Sequence, residues 1–285
     1  MSNQAPKPAV RGARILRIAL IGNGKMGSAL LTQWAGSTDA GRTLPDHTFF
    51  VIDPASEPGS GAEAEHVTYL REAPPVDQCA FDLVIVAVKP QIVDAVLPGY
   101  APRLAPGGFV ASIAAGCSIA RLRALAGGVP VIRIMPNLPA AIGAGVSGLC
   151  ADSSASQAQR DAVEAMMAAA GITQWVDDED QLDRFTAIAG SGPGYVFEIA
   201  RTYVEAAEAL GFSPEDARRL VLGTMAGTVA MARQSAESLE DLRTSVTSKN
   251  GTTAAGLAVL NGDGALGVRL QATVEAAYQR AIALR

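Results

Sequence analysis

Ile15-Leu16-Arg17-Ile18-Ala19-Leu20-Ile21 leads directly into Gly22-Asn23-Gly24-Lys25-Met26-Gly27, and then into Ser28-Ala29-Leu30-Leu31. The first seven residues are almost unbroken in apolar character, the mark of a strand buried on both faces. The last four read as a helix. A Gly-x-Gly-x-x-Gly held between a strand and a helix carries a meaning that the bare pattern lacks. Gly22 permits the tight turn, Gly24 lets the backbone approach a pyrophosphate, and Gly27 lets helix pack on strand. Lys25 and Met26 fill the variable positions of the same loop. The stretch therefore reads as the dinucleotide-binding turn of a parallel sheet.

The residues beyond it continue the alternation. Phe49–Ile52 reads as a second strand, and Phe81–Val88 as a third that closes on Lys89-Pro90. Gly108–Ile113 reads as a fourth, followed by Ala114-Ala115-Gly116, and Val131–Met135 as a fifth. Ser118 caps a short helix through Ala126. Strands separated by helical stretches imply a parallel sheet with helices on both faces. The pattern changes after Trp175-Val176, at the acidic break Asp177-Asp178-Glu179-Asp180. Everything beyond reads helical. Gly211 ends one helix, and Ser213-Pro214-Glu215-Asp216 starts the next with a cap hydroxyl, a first-turn Pro and two carboxylates. The expected division is a dinucleotide-binding domain over 1–176 and a helical domain over 177–285, with 1–13 a disordered lead-in.

Composition narrows the function. Of 285 residues, 49% are apolar and 18% charged, which is globular rather than disordered. A net charge of -5, with no basic stripe, argues against a nucleic-acid partner. No apolar run reaches membrane-spanning length, and the lead-in lacks a signal-peptide core. Cys79, Cys117 and Cys150 are odd in number and lack metal-like spacing, so they read as buried thiols in the cytoplasm. His47 and His66 are too few for a histidine metal cluster, and no metal is expected.

Three further stretches carry chemistry. Asp53 follows the second strand, where a carboxylate accepts bonds from the adenosine ribose and repels a 2′-phosphate. It stands 29 residues beyond Gly24, and the excess over the usual spacing of about 20 fits into the loop 38–47. The neighbours Pro54, Ala55, Ser56 and Glu57 add no positive charge, so the reading leans to NADH, with NADPH as the rival. Ala87-Val88-Lys89-Pro90 and Arg133-Ile134-Met135-Pro136-Asn137 both end strands in the crevice where open α/β sheets bind ligands. Finally, Val246-Thr247-Ser248-Lys249-Asn250-Gly251-Thr252-Thr253-Ala254-Ala255-Gly256-Leu257 places hydroxyls, an Asn and a Gly before a helical run over 252–260. Hydroxyls there cap the helix, and its first N–H groups form a seat for a small anion.

Together these pieces resemble the pyrroline-5-carboxylate reductase family, which reduces Δ1-pyrroline-5-carboxylate to proline. The resemblance rests on Gly22–Gly27, Ala87–Pro90, Ser112-Ile113-Ala114-Ala115-Gly116, Arg133–Asn137, Gly190-Ser191-Gly192-Pro193-Gly194-Tyr195-Val196-Phe197 and Val246–Leu257. It covers roughly residues 15 to 260 in the family's order. It implies an α/β dinucleotide-binding (Rossmann-like) domain followed by an all-α dimerisation domain with interleaved helices and an active site near the interface. Gly22, Gly24, Lys25, Met26, Gly27, Asp53, Ala87, Val88, Lys89, Pro90 and Ala115 would then bind NADPH or NADH. Ser248, Asn250, Gly251, Thr252 and Thr253 would hold a cyclic imino acid. Backbone N–H groups take its carboxylate, and the Thr253 hydroxyl, the catalytic group, takes its ring nitrogen. Two departures stand out. Lys249 and Asn250 replace Pro and the first Gly of the family's Thr-Ser-Pro-Gly-Gly-Thr-Thr, and Gly194 replaces a usual Ala.

Two other readings compete. A 3-hydroxyacid dehydrogenase-like oxidoreductase shares the Gly-x-Gly-x-Met-Gly opening, but its alcohol chemistry needs a base, typically a second-domain lysine. The four lysines are Lys7, Lys25, Lys89 and Lys249, and none lies on an expected helix of the second domain. A non-catalytic nicotinamide-sensing module would keep the glycine loop and need no hydroxyl-rich segment. The small-residue helical domain also implies a homodimer or larger homo-oligomer.

Overall fold

The computed structural model describes residues 15–36, 47–56 and 66–285. The lead-in 1–13, the loop residues 38–46 and Glu57 lie outside them. Contacts divide the chain into two compact units, Met1–Gly190 with Tyr278–Arg285, and Ser191–Ala277.

The first unit is built on one eight-stranded sheet of order β3-β2-β1-β4-β5-β6-β7-β8. Its strands are β1 Arg17–Ile21, β2 Thr48–Ile52, β3 Val67–Leu70, β4 Phe81–Val86, β5 Leu104–Ser112, β6 Val131–Met135, β7 Gly145–Ala151 and β8 Gly171–Trp175. The first six run parallel. Helices α1 Lys25–Ala35, α2 Val93–Val96, α3 Ile119–Leu125, α4 Gln157–Ala169 and α5 Glu179–Phe185 complete the unit's main elements. Alternate strand residues point to opposite faces, and each face has its own core. Ile18, Leu20, Leu83, Ile85 and Ile132 pack with Leu30, Trp34, Val163 and Met166 of α1 and α4. Ala19, Val84, Val86 and Val110 pack on the other face with Val93, Leu97 and Leu122. Each large aliphatic side chain fully buried this way contributes about 1.5–3 kcal/mol. That two-sided burial explains the continuous apolar runs.

β7 breaks the parallel pattern, pairing antiparallel with β6. Only a short 3-10 turn, Leu138–Ile142, closed by left-handed Gly143, joins them. A parallel return needs a crossover of about a dozen residues or more, usually a helix. α4 supplies one between β7 and β8, which pair in parallel. The sequence reading missed β3, β7 and β8. β7 reads Gly-Val-Ser-Gly-Leu-Cys-Ala, whose glycines dilute the strand signal.

The acidic break does not divide the units. Asp178 caps α5 by accepting the Gln181 N–H at 2.8 Å, and α5 packs Leu182 and Phe185 closely over Gly148 of β7. Contacts thus place the division at Gly190 rather than at 177, after a single π turn over Thr186–Gly190. Asn137 fastens that turn by donating to the Ala189 carbonyl at 3.0 Å, while accepting from the Val146 N–H at 2.9 Å.

The second unit holds α6 Gly192–Ala209, α7 Pro214–Gln234, α8 Leu239–Ser245, α9 Thr252–Asn261 and the first turns of α10 Ala265–Ala283. Ser213 caps α7 as expected, accepting from the Asp216 N–H at 3.1 Å. Gly211 adopts φ 97° after α6. The only buried residues of α6 and α7 are Ala200, Ala217 and Val221, and α8, α9 and α10 bury none. Phe197 is 62% exposed and Val259 88%. So much apolar surface in one chain marks a face meant for another protein surface. Among the described residues no helix is long and apolar enough to cross a membrane.

Candidate functional site

The glycine loop lies where β1 meets β4, the point at which the strand order changes direction and open α/β sheets bind their ligands. Gly22 takes φ 95°. A Cβ there would stand 2.8 Å from Val88 Cγ1 and 2.9 Å from the Ala87 carbonyl oxygen. A Cβ on Gly27 would stand 2.6 Å from the Gly22 carbonyl oxygen. These two glycines serve close packing. Gly24 differs, because a Cβ there would meet nothing within 4 Å. It is the N-cap of α1 and supplies no side-chain acceptor. The first N–H groups of α1 therefore face open space with their partial positive charge, the geometry a pyrophosphate needs. Asn23 Oδ1 is buried in the loop without a partner, an acceptor awaiting a donor. These residues fit a dinucleotide.

The remaining expected cofactor residues divide by exposure. Ala87 and Val88 are partly buried at the end of β4, and Lys89 and Ala115 are exposed on the turns after β4 and β5. Pro90 opens a 3-10 turn behind Lys89. Lys25 is exposed, whereas Met26 packs against the core and serves the loop from behind. Arg133 is structural. It is buried and paired with Glu179 at 2.5 Å, and Glu179 also accepts the Ile119 N–H at 2.9 Å. The thiols offer no nucleophile: burial pushes Cys150 up to about 11 and raises Cys117 as well.

Asp53 is held firmly. Its carboxylate accepts the Asn23 N–H at 2.7 Å and the Ala55 N–H at 2.8 Å, tying the end of β2 to the glycine loop. Beside it the structure places Arg71, which the sequence reading did not single out. Arg71 follows β3 and donates from Nε to the Ser56 carbonyl at 3.2 Å. Nothing local in the sequence marks it; the parallel pairing of β2 with β3 brings it there.

In the second unit, α9 begins at Thr252 behind Gly251. Contrary to the expected hydroxyl cap, no side chain caps it. The Gly251 N–H is taken inside the turn by the Ser248 carbonyl at 3.0 Å. This leaves the first-turn N–H groups from Thr252 onward for an outside anion. Gly251 shapes the turn rather than donating, since a Cβ there would stand 2.3 Å from Ser248 Oγ. Ser248, Asn250, Thr252 and Thr253 are all exposed. Asn250 has φ 62°, and no other non-glycine residue among those described has a positive φ. Asn tolerates that region better than any β-branched residue, which explains how it stands in a position that the family gives to Gly. Asn250→Gly should therefore leave stability within about 0.5 kcal/mol, while Asn250→Val costs about 1–2 kcal/mol through left-handed strain. Urea unfolding of the two variants checks this; equal stability would mean the turn relaxes.

A family model described as pyrroline-5-carboxylate reductase dimerisation matches residues 179–284. A second, described as NADP oxidoreductase coenzyme F420-dependent, matches residues 17–116. Pyrroline-5-carboxylate reductase of Pseudomonas aeruginosa is 38% identical over 269 residues, covering 94% of this chain and 96% of that protein. The chain belongs to the pyrroline-5-carboxylate reductase family. The Bacillus subtilis reductase 2 is 33% identical, with 86% of each chain covered. Among solved structures, the reductase of Coxiella burnetii superposes with TM-score 0.81 at 28% identity, covering 95% of this chain and 99% of that one. The Plasmodium falciparum enzyme, solved with NADP bound, gives 0.79 at 27%, with 94% and 98% covered. Family membership selects the reductase reading over the 3-hydroxyacid dehydrogenase alternative. The Rossmann-like sheet and the helical dimerisation domain are the architecture of pyrroline-5-carboxylate reductases. In this reductase the capless start of α9 coincides with the motif that carried the resemblance.

Proposed function

We propose that this chain reduces Δ1-pyrroline-5-carboxylate to L-proline, the last step of proline biosynthesis. The observation that carries the reading is the pairing of two features within one chain. One is a glycine loop whose free N–H groups suit a pyrophosphate. The other is a helix start whose free N–H groups suit a carboxylate, flanked by the Thr252 and Thr253 hydroxyls. The bound reduced nicotinamide supplies a hydride to C5 of the ring. The chain's own work is positioning and charge complementarity. The N–H groups opening α9 hold the substrate carboxylate against the positive end of the helix. The Thr253 hydroxyl meets the ring nitrogen and orients the imine carbon. A protonated imine is already electrophilic, so a neutral hydroxyl suffices and no strong acid is required. Lys249, exposed beside the seat, adds attraction for the carboxylate.

The dimerisation-model match and the bare faces of α8 to α10 support a homodimer or larger homo-oligomer built through the second unit. The three unpaired, buried thiols support a cytoplasmic setting. Asp53 supports NADH, and Arg71 supports NADPH. Purified protein should oxidise a reduced nicotinamide cofactor only when pyrroline-5-carboxylate is added, followed by absorbance. Failure with this substrate alongside turnover of a hydroxyacid would overturn the assignment.

A further inference from the structure

α10 ends in tightened turns, the Leu284 N–H reaching the Ala281 carbonyl and the Arg285 N–H the Ile282 carbonyl, each at 3.2 Å. Tyr278–Arg285 belong to the first unit, and contacts at Tyr278, Leu284 and Arg285 hold them there. The Tyr278 hydroxyl donates to Asp180 Oδ1 at 2.5 Å, and the Arg184 guanidinium carbon lies 5.6 Å from the Tyr278 ring centre. Arg285 Nε stands 2.7 Å from Asp183 Oδ2. That oxygen is buried and makes no hydrogen bond, so the guanidinium charge is its counterpart. A buried carboxylate without a counterpart is strongly disfavoured. Leu284, finally, lies directly on Gly116. A Cβ on Gly116 would run into the Leu284 carbonyl oxygen and stand 3.3 Å from Leu284 Cβ.

Gly116, with φ 74°, sits in the turn between β5 and α3. Register places that turn at the ligand edge of the sheet. The Ile113 N–H donates to the Val86 carbonyl at 3.0 Å, and the Ala87 N–H to the Ile21 carbonyl at 2.8 Å. The turn after β5 therefore stands beside the turn after β4, which stands beside the glycine loop. Its two ends are fastened. The Ala114 N–H donates to Ser112 Oγ at 3.2 Å, and the Ile119 N–H to Glu179 Oε1 at 2.9 Å. Among the described residues, Ala115 and Gly116 make no hydrogen bond of their own. The middle of the turn is held by packing, and the backbone packed on it is that of Leu284.

We propose that Tyr278–Arg285 form a strap, latched on α5 by the Arg285–Asp183 pair, in which Leu284 and Arg285 position the turn after β5 at the crevice. The proposal rests on the reading of that crevice as a dinucleotide site, and adds that the last residues of α10 and those after it set part of its shape. Two measurements on the full-length protein test it. One is amide hydrogen exchange at Ala114 and Ile119 with no ligand present; the other is a fluorescence titration with reduced dinucleotide. Arg285→Gln alone leaves a buried carboxylate, so the informative variant pairs Arg285→Gln with Asp183→Asn, which removes the latch without leaving a charge. It should speed exchange at Ala114 and Ile119 about fivefold or more, leaving the amides of β1 and β4 at native rates. Its dinucleotide Kd should rise about three- to tenfold. In turnover, KM for the dinucleotide should rise with it while kcat stays within about twofold, the mark of lost binding rather than lost chemistry. Leu284→Gly should act in the same direction, and Arg285→Lys, which keeps a charge beside Asp183, should stay within about twofold of native. Native exchange in the double variant, exchange speeded equally throughout the sheet, or speeded exchange with native dinucleotide affinity would each overturn the strap. A native chain that binds no dinucleotide sinks the site reading, and with it the positioning role; native binding without proline formation sinks the reaction reading alone.

Discussion

Gly22→Ala is expected to abolish measurable dinucleotide binding and to destabilise the fold by about 2–5 kcal/mol, the sum of left-handed strain and overpacking. The backbone at Gly22 has φ 95°, a conformation that residues with a Cβ rarely adopt. The new methyl would also stand 2.8 Å from Val88 Cγ1 and 2.9 Å from the Ala87 carbonyl oxygen. Neither neighbour can withdraw. Ala87 directly follows β4 and donates its N–H to the Ile21 carbonyl at 2.8 Å, which fixes Val88 next to it. Relief has to come from the loop, and a displaced loop loses the orientation of its N–H groups. Gly24→Ala provides the contrast. Its φ is -70° and the Cβ meets nothing within 4 Å, so stability should change by less than about 1 kcal/mol. Yet the methyl fills the space a pyrophosphate requires, and binding should still fall. Urea unfolding and a fluorescence titration with reduced dinucleotide separate the two effects. A Gly22→Ala protein of native stability and affinity would mean the loop is not the cofactor cradle.

Thr253→Ala should lower kcat/KM by about ten- to a hundredfold, up to the range seen for losing one preorganised hydrogen bond to the reacting group; here the hydroxyl oxygen accepts from the protonated imine N–H. Stability should stay within about 0.5 kcal/mol, because Thr253 is exposed in the first turn of α9 and caps nothing. The loss should fall mainly on kcat, since the carboxylate is held by backbone N–H groups that the substitution leaves in place. Thr253→Ser, which keeps the hydroxyl, should recover most of the activity. If Thr252→Ala were the damaging change and Thr253→Ala harmless, the orienting role would pass to the neighbouring hydroxyl.

Local signals sufficed where the chemistry is local. The apolar run ending at Ile21, the three glycines after it and the hydroxyl-rich stretch before α9 each state their purpose within a dozen residues. Arg133 and Asn137 show the limit. Both sit in a motif that ends β6 near the ligand crevice, and both turn out to hold the framework: Arg133 through Glu179, Asn137 through Ala189 and Val146. Their partners lie 46, 52 and 9 residues away along the chain, beyond what the sequence pattern of that stretch can reveal.

By itself, then, the sequence determined the parallel dinucleotide-binding sheet, the helical second half and the family, because periodicity and glycine placement act over a few residues. Only the tertiary structure decided the rest. It turned β7 antiparallel, since the turn before it is too short for a crossover. It showed that α9 starts without a side-chain cap, although four hydroxyls stand near it, because the N-cap position falls on Gly251, which has no side chain. And it brought Arg71 to the turn that carries Asp53 and Ser56, because strand pairing, unlike a motif, joins residues by register rather than by their distance along the chain.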